Sequence, residues 1–310
     1  MSASSDLPQI DVLGLGSVAY DDLLYVDAYP PPNRKTRVLR KFERFGGLTG
    51  GALIAAARLG ARCAYAGRLG FDPASLAVDA AFAREGIDTR HAARDPANGV
   101  GRSTIIVSTP EATRNVFSQH TGKTGAHEQL PEESVIRSAR VLLVDHHGVD
   151  GAIRAARLVR EAGNSVVGDF ERDDPPRLDE LLALVDHLIL PEDFAHRLTG
   201  RSTAERAVTH LRKSDSQTIV VTAGDRGCWY MEAGGSEAHH CRALRVKAFD
   251  TTGCGDVFHG AYAAALAGGM ELGERLQFAT AAAAFKAAAA LGEDGVPQKA
   301  DIEEFLRERR

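Results

Sequence analysis

Strand and helix patterns alternate through the second half of the chain, and this alternation restricts the fold more than any other feature. After about residue 122, short runs rich in Val, Ile and Leu alternate with amphipathic helical segments. The predicted strands cover residues 141–145, 165–169, 187–190 and 218–222. Apolar runs of this kind are buried on both faces, as in a parallel sheet covered by helices. The sequence therefore predicts an α/β domain built on a parallel sheet.

Two earlier segments have a different texture and predict a separate small sheet. Residues 17–45 and 99–118 alternate polar with apolar or aromatic residues, and prolines at 30–32 and at 110 interrupt them. This pattern is typical of an antiparallel ribbon, which we call the lid. The core is then expected over 9–16, 46–98 and 119–310, after a flexible tail at 1–8.

The motif that carries most chemistry is DTTGCGD at residues 250–256, which leads into an Ala-rich apolar helix predicted at 258–267. Glycines let the main chain approach a phosphate closely. The unpaired amides and the dipole at a helix N-terminus attract anions. A carboxylate at Asp256 would repel such an anion, so its presence indicates proton abstraction from a hydroxyl that attacks phosphorus. The alternative reading is an N-capped helix preceded by a glycine turn.

Composition argues against several classes of protein. The net charge of −5 over 310 residues, without a long basic block, gives no support for nucleic-acid binding. No apolar run is long enough for a signal peptide or a membrane span, so we expect a cytoplasmic protein. Its cysteines are widely spaced and are expected to be free thiols: Cys63, Cys228, Cys241 and Cys254.

Two glycine-containing motifs are candidates for a nucleotide-binding site. The sequence GLGSVA at 14–19 matches the dinucleotide fingerprint G-x-G-x-x-A, but strand-like residues and prolines follow where that motif needs a helix. Thr222, Gly224 and Gly227 instead end a strong predicted strand. Ligands bind at the carboxyl ends of parallel strands, so the second motif is favoured, although alone it would more often be a turn.

Further polar residues are candidates for contact with a second ligand. Gly46 and Gly47 precede a helix predicted at 52–59 and would allow close approach of a polar ligand, with Asp21 as a hydroxyl-binding carboxylate. His146 and His147 follow a strand, but adjacent side chains on an extended chain point to opposite sides. A substrate-facing or structural role is therefore favoured over a metal site.

Three segments together resemble the ribokinase (pfkB) family of carbohydrate kinases. DTTGCGD with the following VFHGAYAAALA resembles the family's second signature, and Gly46-Gly47 with AAARLG at 55–60 resembles the first. Thr222, Gly224 and Gly227 resemble its nucleotide-side element, and the order and spacing match over about residues 9–306. Residues 188–200 and 257–260 look most like the fructose and sulfofructose kinase branch.

The resemblance implies a Rossmann-like, ribokinase-like three-layer domain with a β lid over the sugar, and lids that often pair in a homodimer. It implies ATP, Mg²⁺ and commonly a monovalent cation such as K⁺. Asp256 would be the general base, with the amides of Gly253, Cys254 and Gly255 as the anion hole. The remaining positions divide by ligand: acceptor sugar at Asp21, Gly46, Gly47, Gly51, Arg114 and His147; nucleotide at Thr222, Gly224, Gly227, Thr251, Gly253, Gly255 and Ala283; metal at Asp250 and Thr252.

Departures from the family pattern leave the acceptor open. Gly51 stands where the family has an Asn, which removes one usual sugar contact, and Cys254 replaces the usual Ala. A sulfonate-binding Arg of the sulfofructose branch would fall near His147, which weakens that assignment. We expect transfer to a primary hydroxyl of a ketose-like sugar. The alternatives are a nucleoside kinase, or a non-catalytic binding protein on the same fold.

Overall fold

The computed structural model describes residues 10–108, 113–289 and 294–308. The tail expected at 1–8 lies outside these residues. The strands that pair into sheets are β1 Ile10–Leu15, β2 Ala19–Val26, β3 Arg40–Gly46, β4 Cys63–Tyr65, β5 Arg68–Leu69, β6 Ala93–Arg94, β7 Gly101–Ser108, β8 Thr113–His120, β9 Ala139–Asp145, β10 Ser165–Asp169, β11 His187–Pro191, β12 Thr218–Thr222, β13 Cys228–Met231 and β14 His239–Cys241.

The helices are placed mainly between the strands of the larger sheet. They are α1 Leu48–Arg58, α2 Pro73–Arg84, α3 Glu133–Arg137, α4 Val149–Glu161, α5 Leu178–Leu184, α6 Glu192–Thr199, α7 Ala204–Leu211, α8 Cys254–Ala267, α9 Leu272–Ala288 and α10 Lys299–Arg307.

The larger sheet has the strand order β14-β13-β12-β11-β10-β9-β1-β4. In this sheet the neighbouring strands β4, β1, β9, β10, β11 and β12 pair in parallel, as predicted. β13 pairs antiparallel with β12, and β14 pairs antiparallel with β13. The two-stranded antiparallel edge was not predicted. It forms because the tight turn Gly224–Arg226 and Gly227, with φ of 90°, return the chain directly beside β12.

Alternate residues of the sheet enter two separate apolar clusters, which makes the domain three-layered. Val12, Val141 and Val167 pack with α1, α2, α8, α9 and α10 on one face. Leu13, Leu142 and Val166 pack with α4, α5, α6 and α7 on the other. Because both faces are covered, the strands carry few polar residues before their carboxyl ends.

The lid is a four-stranded sheet with the order β3-β2-β7-β8. β2 pairs antiparallel with β3 and β7 pairs antiparallel with β8, but β2 and β7 are parallel. The prediction of a purely antiparallel ribbon was therefore wrong at the central pair. The two hairpins enter from distant parts of the chain, and local sequence does not determine how they join.

Two helices begin earlier than predicted. α1 begins at Leu48 instead of residue 52, because Gly47 with φ of 80° turns the chain into the helix directly. α8 begins at Cys254, after Gly253 in the left-handed conformation. Asp256 therefore lies inside the first helical turn instead of in the loop before it.

Candidate active site

The carboxyl ends of the parallel strands bring polar residues together at one edge of the larger sheet. Asp169 at the end of β10 is in register with Asp145 at the end of β9. Thr222 at the end of β12 is in register with Pro191 at the end of β11. Open α/β sheets bind ligands at this edge, and the lid strands lie next to it.

The 250–256 loop forms an anion-binding helix N-terminus. Gly253 has φ of 79°, and the Cys254 amide donates to the Thr251 carbonyl at 3.3 Å, which closes the turn. The next residues start α8, so their amides face outward without intrahelical acceptors. The loop can therefore hold a phosphoryl group at the positive end of the helix dipole.

Asp256 stands at this helix N-terminus and contacts α1. A Cβ built on Gly51 would lie 2.8 Å from the Asp256 Oδ2 atom, so any larger residue at 51 would have to displace one of the two. Desolvation and then the nearby Asp169 carboxylate raise the pKa of Asp256 well above its usual range. A carboxylate with a raised pKa is a stronger base, as proton abstraction from a hydroxyl requires.

Asp21 and the glycine pair lie on the lid side of the site. Asp21 on β2 is 9 % exposed, and a Cβ built on Gly46 would lie 3.6 Å from its Oδ2 atom. Burial raises the pKa of Asp21 to about 6, which hydrogen bonding from Ser103 partly opposes. A Cβ on Gly47 would lie 2.9 Å from the Ser17 carbonyl oxygen, so only glycine fits there.

Asp145 is fully buried and joins three parts of the fold. Its carboxylate accepts bonds from the Ser17 amide at 2.6 Å, Thr49 Oγ1 at 3.0 Å and the His147 amide at 2.8 Å. Burial favours protonation, but the bonds from His147 and Ser17 outweigh it and hold the pKa of Asp145 well below its usual range. The same carboxylate lies 3.1 Å from His147 Nδ1 and orients that ring.

Asp145 therefore holds the ring of His147, which is not among the residues that line the cleft around Asp256. The ring centroid of His147 lies 4.2 Å from that of His146 and 5.6 Å from that of His120 on β8. Burial opposes protonation of His147, but Asp145 outweighs it and raises the pKa. Among the described residues, no group of three or more His, Cys, Asp or Glu side chains is placed to share a metal ion.

A cleft of about 340 Å³ opens between the lid, α1 and the start of α8. Asp256 and Gly253 line it together with Gly51 and Gly46. The predicted base, one residue of the predicted anion hole and two predicted acceptor positions thus face one space. Lid strands β2 and β3 contribute the aromatic residues Tyr25, Phe42 and Phe45.

The loop before α8 is held by side chains from the lid. Asp250 accepts bonds from Tyr25 Oη at 2.9 Å and from the Thr252 amide at 2.8 Å, and Arg44 Nη2 lies 3.5 Å away. Arg114 on β8 donates to Thr251 Oγ1 at 3.0 Å. Arg114, which was predicted to contact the acceptor, therefore lies against the anion-binding loop.

The residues predicted for the nucleotide outside the 250–256 loop lie on two elements, the turn between β12 and β13 and the helix α9. Thr222 ends β12, and Gly224 with φ of 59° and Gly227 form the following turn. A Cβ on Gly227 would lie 2.1 Å from the Cys241 carbonyl oxygen, so β14 needs a glycine there to pack closely. Ala283 is half-buried on α9, the helix that Cys241 contacts through Thr280 at 3.8 Å.

His259 lies one helical turn after Asp256 and was not predicted as a site residue. Its ring nitrogens face the carbonyl oxygens of Gly255 at 2.9 Å and Ile189 at 3.1 Å, and Nδ1 is 3.3 Å from the Asp169 carboxylate. His259 thereby links the start of α8 to the end of β10 and the middle of β11. Its spacing from Asp256 was the available signal, since residues three apart on a helix share a face.

Comparison with known proteins gives a consistent result over nearly the whole chain. Residues 10–299 match the model of the pfkB family of carbohydrate kinases. Ribokinase of Haemophilus influenzae is 28% identical over 306 residues, which cover 94% of this chain and 97% of the relative. The 5-dehydro-2-deoxygluconokinase of Shouchella clausii is 22% identical, with 97% of both chains covered.

Solved structures show the same fold. A protein of Agrobacterium tumefaciens, provisionally classed as a ribokinase, superposes with a TM-score of 0.88 at 27% identity and covers 96% of this chain and 97% of its own. Arabidopsis thaliana ribokinase, solved with ribose and ATP, gives a TM-score of 0.81 at 22% identity, with 96% and 99% covered.

The chain therefore belongs to the pfkB family of carbohydrate kinases, which are ATP-dependent phosphotransferases. Within the described residues, none of the helices is both long and apolar enough to span a bilayer.

Proposed function

We propose that this kinase transfers the γ-phosphoryl group of ATP to a primary hydroxyl of a sugar or sugar derivative, with Asp256 as the general base. The observation that carries the proposal is the shared cleft, in which Asp256 and Gly253 face Gly46 and Gly51. A base, an anion hole and an acceptor space within one cavity are what a phosphoryl transfer to a hydroxyl requires.

In the proposed reaction the acceptor hydroxyl attacks the γ-phosphorus in line as Asp256 takes its proton. The O–P bond to the acceptor forms, and the bond between the γ-phosphorus and the β,γ-bridging oxygen breaks to release ADP. The amides of Gly253, Cys254 and Gly255 stabilise the negative charge that develops on the transferred group. Burial is the main cause of the raised pKa of Asp256, and like-charge repulsion from Asp169 adds to it.

The nucleotide is proposed to lie along the sheet edge. Thr222, Gly224 and Gly227 would contact it from the β12 end, with Ala283 on α9 and Thr251 in the loop on the opposite side. Mg²⁺ bound with ATP would supply charge neutralisation on the phosphates. Because Mg²⁺ in such sites is held largely by phosphate oxygens and water, the lack of a metal-binding cluster among the described residues is compatible with this role.

The acceptor is proposed to be a neutral, ketose-like sugar bound by Asp21, the Gly46-Gly47 backbone and His147. The first lid segment also carries several basic residues, which would favour an anionic acceptor if their charges were free to face it: Arg34, Lys35, Arg37, Arg40, Lys41 and Arg44. Lys41 Nζ is paired with Asp22 at 2.7 Å, and Arg44 is bonded to the loop before α8. These two lid cations therefore serve the protein itself.

A nucleoside acceptor is the second candidate, favoured by one observation. Phe42 and Phe45 line the cleft beside Gly46, where they could contact a flat base. A third reading, a binding protein without turnover, is disfavoured because Asp256 and the whole 250–256 loop are intact.

The lid is proposed to cover the acceptor and to pair with a second lid, with segments 17–45 and 99–118 as its limits. Every residue of β8 is exposed, and Val116 and Phe117 are each 53% exposed. An open edge strand with exposed apolar residues invites pairing with another chain.

The test is an ADP-release assay with Mg-ATP and an acceptor panel. The panel holds ribose, fructose, fructose phosphates, 2-keto-3-deoxygluconate, sulfofructose, adenosine and aminoimidazole riboside, and ³¹P NMR of the product identifies the phosphorylated hydroxyl. ATP hydrolysis in the absence of an acceptor is measured and subtracted.

Each outcome has a defined meaning. Turnover with a neutral ketose supports the proposal, and preferential turnover with a nucleoside selects the second candidate. Turnover only with acceptors that carry a phosphate, carboxylate or sulfonate group contradicts a neutral acceptor. Retained ATP binding with no turnover across the panel favours a binding protein.

A further inference from the structure

A buried lysine next to the anion-binding loop has no role in the mechanism above. Lys286, near the end of α9, is 2% exposed, and its Nζ atom has no hydrogen-bond partner among the residues that the structure describes. A buried ammonium group is costly unless an opposite charge compensates it. Its position must therefore be explained by its surroundings.

Lys286 lies beside the segment that leads into the 250–256 loop. The Phe249 amide donates to the Ala287 carbonyl at 2.8 Å, which fixes the end of α9 next to Asp250. On the other side, a Cβ built on Gly295 would lie 3.2 Å from Lys286 Cδ. Lys286 lines the same cleft as Thr252 and Gly253. Burial alone would raise the pKa of Asp250, but the pKa is lowered, and the positive charge of Lys286 is the largest of the causes that lower it.

A second cation reaches the same loop from the lid. Arg44 Nη1 donates to the Thr252 carbonyl at 3.2 Å, and its Nη2 lies 3.5 Å from the Asp250 carboxylate. Asp250 and Thr252 are the two residues at which the family resemblance placed a monovalent cation. The Thr252 carbonyl and the Asp250 carboxylate are thus already served by a guanidinium group, with an ammonium group close by. Of the side-chain oxygens of these two residues, only Thr252 Oγ1 has no hydrogen-bond partner among the described residues.

The residues present therefore do not fit a bound K⁺ ion. Such an ion would need oxygens free to replace its hydration shell, and it would add a like charge beside Arg44 and Lys286. We propose that Lys286, together with Arg44, is a built-in cation that positions the 250–253 loop, so that phosphoryl transfer needs no monovalent metal ion. The inference rests on the proposed phosphoryl transfer at this loop, and it makes Lys286 a positioning residue.

Recognition of an anionic acceptor explains Lys286 less well. Arg58 is bonded to Glu85 at 2.6 Å and to Asp294 at 2.7 Å. The charges that line the cleft balance, four against four: Arg44, Arg58, Arg84 and Lys286 against Glu43, Glu85, Asp256 and Asp294. The cleft therefore holds no surplus positive charge for a substrate anion.

The first experiment needs no acceptor and is independent of the proposed function. The melting temperature of the wild-type protein is compared in KCl, NaCl and tetramethylammonium chloride at equal ionic strength, with and without Mg-ADP. We expect no stabilisation specific to K⁺. A K⁺-specific rise in melting temperature that saturates with concentration would show a real site and overturn the proposal.

The second experiment uses Lys286→Met, which keeps the length of the side chain but removes the charge, and Lys213→Met as the matched control on an exposed lysine. With the acceptor found in the panel, wild-type kcat should be the same in K⁺ and in tetramethylammonium. Lys286→Met should lower kcat roughly tenfold or more without K⁺, and K⁺ or NH₄⁺ should restore it.

Several results would contradict the proposal even if the kinase reaction is confirmed. These are a wild-type kcat that depends on K⁺, a Lys286→Met variant that keeps full activity without K⁺, or a folded variant that neither cation rescues. If Lys286→Met does not fold, Lys286→Arg keeps the charge and should retain K⁺-independent turnover, and dependence of that variant on K⁺ would count against the inference.

Discussion

At the scale of single residues, the site contains two carboxyl groups whose surroundings raise their pKa and so disfavour the charged form. Asp256 has a raised pKa because it is desolvated and lies near Asp169. Asp21 has a raised pKa because the lid buries it. Both groups are less stable as carboxylates than they would be in water, and both are proposed to act as carboxylates. The cost of ionising them is compensated only when they bind or deprotonate a hydroxyl.

Asp21 gives a prediction with two opposite readouts. Its pKa in the folded protein is about 6, above the ordinary aspartate value of 3.8, so the native state binds the proton more tightly than the unfolded chain does. Ionisation of Asp21 therefore destabilises the folded protein. This loss of stability grows as the pH rises from about 4 to 6 and is complete above about 6. Asp21→Asn should raise the free energy of unfolding at pH 7.5 by up to about 3 kcal/mol, and this gain should vanish near pH 4.

The same variant should bind the acceptor worse. Loss of charged hydrogen bonds to sugar hydroxyls should raise the acceptor KM about 10- to 100-fold at pH 7.5, while kcat changes less. In the wild type, KM should rise as the pH falls below about 6, and in Asp21→Asn it should not. Urea denaturation and initial-rate kinetics over this pH range check both halves. An unchanged KM in Asp21→Asn would remove Asp21 from the acceptor site.

At the scale of elements, Asp145 holds the end of β9, the turn after β1 and the start of α1 in one arrangement. Its three bonded partners, Ser17, Thr49 and His147, come from these separate segments. The Gly46-Gly47 pair directly precedes α1, so the acceptor side of the site depends on this buried carboxylate. Asp145 is therefore a structural residue on which site geometry relies.

Asp145→Asn should lower the free energy of unfolding by about 3 kcal/mol at pH 7, because the amide leaves buried donors unpaired. The pKa of Asp145 is depressed in the folded state, so its stabilising contribution is present above pH 4 and is lost as the pH falls through that lower pKa. The difference between wild type and variant should thus shrink in acid. Asp150→Asn, an exposed acid five residues later, is the control; equal stability of both variants at pH 7 would contradict this role.

Local chemistry explains which elements the sequence could predict. The 250–256 loop was recognised because glycines, a helix start and a carboxylate are consecutive in the chain. The parallel β2–β7 pair and the β13–β14 edge were not recognised, because their partners are set by tertiary packing. Lys286 was hidden for the same reason: it sits in an Ala-rich helix, and its neighbours Asp250 and Arg44 come from a loop and from the lid.

At the scale of the whole molecule, β8, one of the two edge strands of the lid sheet, is open. β8 is exposed along its full length, and Val116 and Phe117 present apolar surface there. A second lid could cover this edge. The proposed homodimer would therefore also cover the strand that carries Arg114, which contacts Thr251 of the anion-binding loop.

The wild-type protein should accordingly be a dimer at micromolar concentration in analytical ultracentrifugation. Phe117→Glu should shift it towards monomer, because a charge would be buried in the lid interface. Leu76→Glu, at an exposed position on α2, should leave the dimer intact. A monomeric wild-type protein, or a Phe117→Glu variant that dimerises as well as the wild type, would contradict pairing through the lid.

The measurement that tests the central claim most directly is the kcat of Asp256→Asn with the best acceptor, alongside its ATP affinity by calorimetry. Loss of the general base should lower kcat about 10²- to 10⁴-fold, whereas the Kd for ATP should change little. The melting temperature should rise or stay the same but not fall, because the amide removes the cost of ionising a desolvated carboxyl group. Turnover near the wild-type rate in a folded Asp256→Asn protein would contradict the assignment of Asp256 and the mechanism built on it.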